Sequence, residues 1–350
     1  MSATQDRTED SKAVATQAGL RYVSDKSPGF TRKKAGSGFM YLDAKGKHIT
    51  DPEVIARIQA LSIPPAYSDV WICPYENGHI QATGMDARGR KQYRYHTDWQ
   101  NARQATKYNR MREFGHALPK IRRQVNADLK LPGVPREKVI ATLVQLLEKT
   151  LIRVGNEEYA KENKSFGLTT LQSKHVEVEA HEIKFAFKGK SNQYHEITLQ
   201  DKRLARIVSK LQDLPGQELF QYVDDNDNLH EIHSDDINQY LQEVTGQDFT
   251  AKDFRTWKGT VLAAKALLKC EACKSKTQAK RNLNAAIRDV ASELGNTPGV
   301  CRKAYIHPKL IATYTTTMTL ECLNCTPTQL EEFKHLHKDE ASIMVFLENH

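Results

Sequence analysis

Short stretches in which apolar and polar residues alternate fill the first third of the chain and predict β-strands. The segments DVWICP, GHIQATG and KQYRYH are separated by glycine, proline and asparagine, and GFMYLDAKGKHIT has two apolar runs around Ala44-Lys45-Gly46 that indicate a hairpin. Helices are predicted over residues 51–61 and 97–114. Together these elements predict a small, mostly β domain over residues 26–105, after a polar, disordered tail over residues 1–25.

The apolar spacing changes to that of a helix after residue 138. This helix is predicted to place Arg153 in its last turn, before Gly155 ends it. Stretches of period two follow over 176–178, 183–187 and 197–199, and they predict three strands of a small sheet.

The rest of the chain reads as mostly helical. Thr250 and Asp253 form a capping box that begins a helix ending near Leu268. A second helix is predicted from Asn282 to Leu294. The fold class is therefore α+β: a small mostly β N-terminal domain, a larger, mainly helical domain with a small antiparallel sheet over 106–315, and a C-terminal helical tail over 316–350.

Composition adds an anionic partner to this picture. The chain has 350 residues, 39% of them apolar, with a formal charge of +8. The stretch 86–124 holds eleven Lys/Arg against three Asp/Glu, so its net charge equals the formal charge of the whole chain. A solvated basic surface is the plain interpretation, but Tyr93, Tyr95 and Trp99 lie among these charges, as in surfaces that bind nucleic acids. Because the chain has neither a signal-peptide-like apolar region nor a membrane-length apolar run, we expect a cytoplasmic protein.

Five polar residues in the second half suggest chemistry on a phosphodiester. They are Arg153, Lys190, Arg255, Asn296 and Tyr305. Two guanidiniums and an amide can hold the oxygens of an anionic phosphorane, a lysine can protonate a leaving oxygen, and a tyrosine can form a covalent ester. Each residue type alone is common on surfaces, and the spacing of Lys190 alone favours an ordinary turn lysine. No Walker-type glycine loop or paired carboxylate cluster is present, so we expect neither ATP nor a metal cofactor.

The wording around these residues resembles the type IB DNA topoisomerases of the compact, poxvirus-like kind found in bacteria. The resemblance runs from about Gly38 to Pro308 and includes GRKQYRYH over residues 89–96. It implies a tyrosine recombinase/topoisomerase IB-like catalytic fold and a double-stranded DNA substrate. It also implies relaxation of supercoils by a monomer near the nucleoid, without ATP or metal.

The resemblance also assigns roles. The arginines matching Arg153 and Arg255 contact the scissile phosphate, and the tyrosine matching Tyr305 forms a 3′-phosphotyrosyl bond. The lysine matching Lys190 protonates the 5′ oxygen, and the one matching Lys252 is implicated in the same transfer. Poxvirus members have histidine where this chain has Asn296, which can donate a hydrogen bond but carries no charge.

DNA contacts are expected in the N-terminal domain, which with a basic hinge over residues 100–110 would clamp the duplex. The expected contacts are Arg90, Lys91, Gln92, Tyr93, Tyr95 and Arg103, with Gln92, Tyr93 and Tyr95 on the major-groove side. The alternative is that Tyr93 and Tyr95, which share one face of a strand, are core residues.

Three alternatives remain open. Cys270, Cys273, Cys322 and Cys325 form two CxxC pairs that could hold zinc, but the 48 residues between the pairs favour ordinary reduced thiols. A tyrosine recombinase would use similar chemistry, although recombinases usually have histidine where this chain has Lys252. A noncatalytic DNA-binding protein on the same scaffold is the third.

Overall fold

The computed structural model describes residues 11–224, 226–271 and 273–349. The chain forms two compact units, the first ending at Asn109 and the second beginning at Arg110. Both units mix helices with antiparallel strands, and the second has a mostly helical core. Among the described residues, no helix combines the length and the apolar character needed to cross a membrane.

The first unit is built on a five-stranded antiparallel sheet. Its strands are β1 (Phe30–Ala35), β2 (Gly38–Leu42), β3 (Ser68–Ile72), β4 (Ile80–Met85) and β5 (Lys91–Tyr95), in the spatial order β2-β1-β3-β4-β5. Helix α2 (Pro52–Ala60) begins with Asp51, whose side chain accepts a hydrogen bond from the Glu53 amide. Its buried Ile58 packs against Ile72 and Ala82, so α2 covers one face of the sheet.

Residues 11–25 do not form the disordered tail that their polar composition predicted. A helix, α1, covers residues 11–17, and Ala15 and Leu20 are buried in a cluster with Trp99. Buried contacts of Ala15 and Leu20 with the distant Trp99 help to fix this segment, and local composition does not reveal them. The remaining predicted tail, residues 1–10, lies outside the described residues.

Helix α3 (Thr97–Asp128) begins in the first unit and ends in the second. It continues well past the predicted end at Phe114, because Phe114, Leu118, Ile121 and Val125 extend a buried stripe at helical spacing.

The second unit contains helices around a three-stranded sheet of order β6-β7-β8 and a short β9–β10 hairpin. Its elements are α4 (Arg136–Thr150), α5 (Glu157–Asn163), β6 (Val176–Glu179), β7 (Glu182–Lys188), β8 (Tyr194–Gln200), α6 (Lys202–Gln212), β9 (Gln221–Val223), β10 (Leu229–Glu231), α7 (Ser234–Thr245), α8 (Ala251–Leu268), α9 (Lys276–Leu294), α10 (Pro298–Ala304), α11 (Pro308–Thr317), α12 (Pro327–Glu331) and α13 (Lys338–Asn349).

Two helix boundaries differ from the prediction. Helix α4 ends at Thr150 because Leu151 adopts a left-handed conformation with φ of 58°, so Arg153 lies beyond the helix and not in its last turn. Helix α9 begins at Lys276, where the Ser275 side chain caps it, instead of at Asn282. Helix α8 has the predicted bounds, and the Thr250 amide donates to the Asp253 carboxylate at 2.8 Å.

Within the described part of the predicted tail, residues 316–349, the chain forms helices α12 and α13 and packs into the second unit. Buried residues of α13 include Ile343, Met344 and Phe346. Its buried Glu340 forms a bidentate ion pair with Arg122 of α3, at 2.8 and 2.9 Å, and accepts a hydrogen bond from Trp257 of α8. This carboxylate therefore fixes α13 against two other helices.

We predict that Glu340→Ala lowers the free energy of unfolding by about 3 kcal/mol, because it leaves a buried guanidinium with one carboxylate fewer and the Trp257 indole without its acceptor. The measurement is denaturant unfolding. The matched control is Glu331→Ala, which removes an exposed pair with Lys334 and should cost less than about 1 kcal/mol. Equal losses for the two variants would contradict the structural role of Glu340.

Candidate active site

Two arginine guanidiniums meet at the C-terminal end of helix α9. Arg255 Nη2 donates to the Leu294 carbonyl at 2.7 Å, and Arg153 Nη2 donates to the Gly295 carbonyl at 2.9 Å. The last carbonyls of a helix lack partners inside the helix, and this end carries a partial negative charge. The end of α9 therefore binds both cations.

Arg153 is positioned by a close contact between two backbone segments. A Cβ atom on Gly167 would lie 2.5 Å from the Arg153 carbonyl oxygen, so only glycine permits this approach. The Leu168 amide donates to that carbonyl at 2.8 Å. Gly155, at φ of +117°, turns the chain immediately after Arg153, in a conformation that residues with a Cβ rarely adopt.

Arg255 projects from α8 and is almost fully buried, at 4% exposure. Its Nη1 donates to the Leu151 carbonyl, which the left-handed turn at the end of α4 presents. Its buried Nε has no hydrogen-bond partner within the described part of the chain. Arg255 is therefore held by two carbonyls while one N–H remains suited to an acceptor such as a phosphate oxygen.

Tyr305 lies against the same helix as Arg255. It is the last residue of the turn that ends α10, and its amide donates to the Cys301 carbonyl at 3.0 Å. A Cβ on Gly259, one turn after Arg255, would lie 2.7 Å from the Tyr305 carbonyl, so the small residue lets the backbone of Tyr305 pack directly on α8. The Arg255 guanidinium carbon lies 5.3 Å from the centroid of the Tyr305 ring.

Lys190 lies in the predicted turn between β7 and β8, where residues Lys190–Asn192 form a 3-10 turn. It lines one pocket together with both arginines; the other lining residues include Thr150, Phe187, His195, Glu293 and Gly295. The structure thus brings Arg153, Lys190 and Arg255 to a single concave site, which we call the arginine pocket.

Asn296 directly follows the glycine that ends α9. Its side-chain oxygen accepts a hydrogen bond from Arg153 Nη2 at 2.5 Å, and its side-chain nitrogen donates to the Leu294 carbonyl at 3.3 Å. In this arrangement the amide orients Arg153. Lys252 lies on the first turn of α8, exposed to solvent and apart from the residues that line the arginine pocket.

His195 is a pocket residue that the sequence analysis missed. A Cβ on Gly189 would lie 2.7 Å from its ring, and one on Gly295 would lie 2.5 Å from it, so the imidazole fits between two glycines. Burial, followed by the charges of Arg153 and Arg255, lowers the pKa of His195. The alternation along β8 could have indicated it, because His195 lies two residues before Ile197 and therefore on the same, less exposed face of the strand.

The arginine pocket has a positive electrostatic character. Burial and the neighbouring charge of Arg255 lower the pKa of Arg153, as expected for two like charges held close together. The contacts of both guanidiniums are carbonyl and amide oxygens, and among the described residues no carboxylate forms an ion pair with either. Such a pocket suits an anion; Tyr305 is not one of its lining residues and approaches it through the Arg255 guanidinium.

The predicted DNA contacts all lie in the first unit, and three are held by carboxylates. Lys91 forms an ion pair with Asp25. Asp86 accepts hydrogen bonds from the Arg90 guanidinium at 2.8 and 2.9 Å and from the Gln92 amide at 3.1 Å. A phosphate that binds these donors must compete with the two acidic side chains.

The two candidate aromatic contacts are not core residues. Tyr93 is 45% exposed and Tyr95 is 39% exposed, and their rings stack with centroids 5.8 Å apart. Gln92 points to the opposite face of the edge strand β5, so the three predicted groove contacts do not share one face of the sheet. The Arg103 guanidinium lies 5.6 Å from the Trp99 ring.

The four cysteines of the CxxC pairs are free thiols. Cys273 Sγ lies 3.3 Å from the Tyr314 hydroxyl and accepts a hydrogen bond from Asn282. The described residues contain no group of three or more histidine, cysteine or acidic side chains arranged to hold a metal ion.

Two family sequence models match the chain. The catalytic core of eukaryotic DNA topoisomerase I matches residues 96–334, and the N-terminal domain of bacterial DNA topoisomerase IB matches residues 38–86. The first covers most of the second unit, including the whole arginine pocket and Tyr305.

Curated relatives agree with the family models. A DNA topoisomerase 1B of Acanthamoeba polyphaga mimivirus is 34% identical over 285 residues, covering 79% of this chain and 85% of the relative. The DNA topoisomerase 1B of vaccinia virus (strain Copenhagen) is 24% identical over 260 residues, covering 71% and 78%. A DNA topoisomerase 1 of Mycosarcoma maydis is 27% identical over 173 residues, 44% of this chain and 17% of that protein. The chain belongs to the type IB DNA topoisomerase family.

Proposed function

We propose that this chain relaxes supercoiled duplex DNA by cutting one strand through a 3′-phosphotyrosyl intermediate, allowing rotation, and rejoining the strand without ATP or metal. The observation that carries the proposal is the meeting of Arg153 and Arg255 at the end of α9, with the Arg255 guanidinium beside the Tyr305 ring. The finer fold assignment, a catalytic unit of the tyrosine recombinase/topoisomerase IB type, belongs to the same proposal.

In the proposed reaction, the Tyr305 phenol gives up its proton to solvent, its oxygen attacks the scissile phosphorus, and the bond from phosphorus to the 5′ oxygen breaks. The two guanidiniums stabilise the charge that develops on the non-bridging oxygens. Lys190 is the proposed donor of the proton to the departing 5′ oxygen, since the β7–β8 turn presents it to the arginine pocket. Religation is the reverse attack by the 5′ hydroxyl.

Lys252 keeps only the support of the family resemblance as a second participant in proton transfer. It is an exposed residue on the first turn of α8, the helix that also carries Arg255. The proposal also includes a monomeric enzyme at the nucleoid in the cytoplasm, with the first unit contributing the second half of a clamp around DNA.

We predict that Tyr305→Phe abolishes plasmid relaxation in EDTA without ATP, because the ring remains while the nucleophilic oxygen is lost. Noncovalent DNA binding, measured by equilibrium titration, should stay close to that of the wild type. Tyr159→Phe is the control, since Tyr159 is a 53% exposed tyrosine on α5. Retained formation of a covalent protein–DNA adduct by Tyr305→Phe would disprove the assignment, whereas absence of an adduct in the wild type would disprove the function.

We predict that Arg153→Ala or Arg255→Ala lowers the single-turnover cleavage rate on the order of 10²-fold or more, by analogy with the loss of one oxyanion-hole donor. Lysine should not restore the rate at position 255, because a single ammonium cannot reproduce the forked contacts to Leu151 and Leu294. Arg206→Ala, an exposed arginine on α6, is the control.

Thermal unfolding of each arginine variant separates loss of chemistry from loss of the fold, since Arg255 is buried. A folded variant whose cleavage rate falls only a few-fold would remove that arginine from the proposed machinery.

Two substitutions of Asn296 separate the effect of the position of Arg153 from the effect of its charge. Asn296→Ala should lower the cleavage rate by releasing Arg153, and Asn296→Asp should lower it by about another tenfold, equal to about 1.4 kcal/mol in the barrier. The carboxylate would hold Arg153 in place but cancel its charge. Single-turnover cleavage at saturating enzyme measures both variants, and a faster reaction for Asn296→Asp than for Asn296→Ala would show that the position of Arg153 matters more than its charge.

A further inference from the structure

The sheet of the first unit has one face that α2 does not cover. The register aligns Trp71 of β3 with Thr83 of β4, and Thr83 with Tyr93 of β5, so these three side chains share that face. Lys91 and Tyr95 lie two residues before and after Tyr93, so all three side chains point to the same side of β5. This face therefore carries three of the expected DNA contacts.

A segment N-terminal to the sheet, residues 20–27, lies along this face. The Trp71 indole donates to the Ser27 carbonyl at 2.9 Å, and the Val23 amide donates to His79 Nδ1 at 3.0 Å. The Asp25 carboxylate pairs with Lys91. The segment is thus fixed to the sheet at several points along its length. It also lies before residue 38, where the match to the N-terminal family model begins.

Tyr22 is the aromatic residue that this segment adds to the face. Its ring stacks on His79 with centroids 4.2 Å apart and an interplanar angle of 9°. His79 in turn lies 6.5 Å from the Tyr95 ring, which stacks on Tyr93. The order Tyr22, His79, Tyr95, Tyr93 forms one continuous aromatic strip.

The members of the aromatic strip differ in exposure. His79 is 3% exposed, whereas Tyr22 is 39% exposed, close to the exposure of Tyr95 and Tyr93. A tyrosine whose role was only to cover His79 would bury its second ring face; Tyr22 presents part of its ring to solvent while His79 fixes its orientation. An oriented ring of this kind loses little conformational entropy when it binds a partner.

We propose that Tyr22 is an additional DNA-contacting residue, which packs on a base or deoxyribose of the duplex beyond the stretch contacted by Tyr93 and Tyr95. Duplex DNA is the occupant that fits, because Lys91 and Arg103 flank the strip within the basic stretch 86–124. The proposal rests on the proposed function in that the partner is DNA.

The test is equilibrium binding of a labelled duplex by Tyr22→Ala in the Tyr305→Phe background, which prevents cleavage. We expect the Kd to rise on the order of tenfold, the range found when an aromatic contact to a base is removed. The slope of log Kd against log salt should stay unchanged, because no phosphate contact is lost.

The matched control is Phe39→Ala. Phe39 has a similar exposure, 37%, but it belongs to β2, the opposite edge strand of the sheet. Its Kd should stay within about twofold of the wild type. An equally small change for Tyr22→Ala would overturn the inference.

A second measurement covers the case in which Tyr22→Ala disturbs the segment itself. The photoreactive residue p-benzoylphenylalanine is placed at position 22 or at position 39, and the complex with duplex DNA is irradiated. Crosslinking from position 22 and not from position 39 is the expected result; no crosslink from position 22 in a protein that still binds the duplex would overturn the inference. If the wild type cleaves DNA in either outcome, the proposed function stands independently.

Discussion

The site depends on two like-charged guanidiniums that are held together by neutral acceptors. Arg153 and Arg255 reach the carbonyls of Gly295 and Leu294, and Arg255 also reaches that of Leu151. Carbonyl dipoles at a helix C-terminus stabilise cations without adding an opposite unit charge. Carboxylates would hold the arginines more tightly but would cancel the positive charge that a phosphate needs. The two cations therefore repel each other, and the same uncancelled charge lets the pocket attract an anion.

A second buried arginine shows the contrast within the same unit. Arg122 contacts the carboxylates of Glu148 and Glu340, which raise its pKa although burial opposes them. The pKa of Arg153 is lowered. Arg122 joins helices and is electrostatically satisfied, whereas Arg153 is fixed in position but not neutralised. The two arginines thus differ in their partners: carboxylates neutralise Arg122, whereas the contacts of Arg153 are carbonyl and amide oxygens.

Much of this arrangement could be predicted from the sequence, and the rest depended on long-range contacts. The bounds of α8, the turn containing Lys190 and the end of α9 at Gly295 follow from local capping and turn residues. The end of α4 was misplaced because Leu151 adopts a left-handed conformation that its side chain disfavours, and a tertiary contact with Arg255 accompanies it. His195 was missed because its partners are glycines from separate segments. The ordered structure of residues 11–25 was missed because Ala15 and Leu20 are buried by Trp99, which is far along the chain.

The candidate DNA contacts of the first unit and the arginine pocket hold their cations differently, and this difference has a physical reason. Lys91 and Arg90 of the first unit are paired with Asp25 and Asp86, so binding a DNA phosphate there exchanges one anion for another and gains little net energy per contact. In the proposed function, weak and exchangeable contacts suit a surface that shifts along a duplex during rotation. The guanidiniums of the arginine pocket, which no described carboxylate neutralises, would gain the full interaction with charge that develops on a phosphate. Under that proposal, affinity for DNA and stabilisation of the reaction are adjusted separately, by acidic side chains beside the candidate DNA contacts and by backbone carbonyls beside the two arginines.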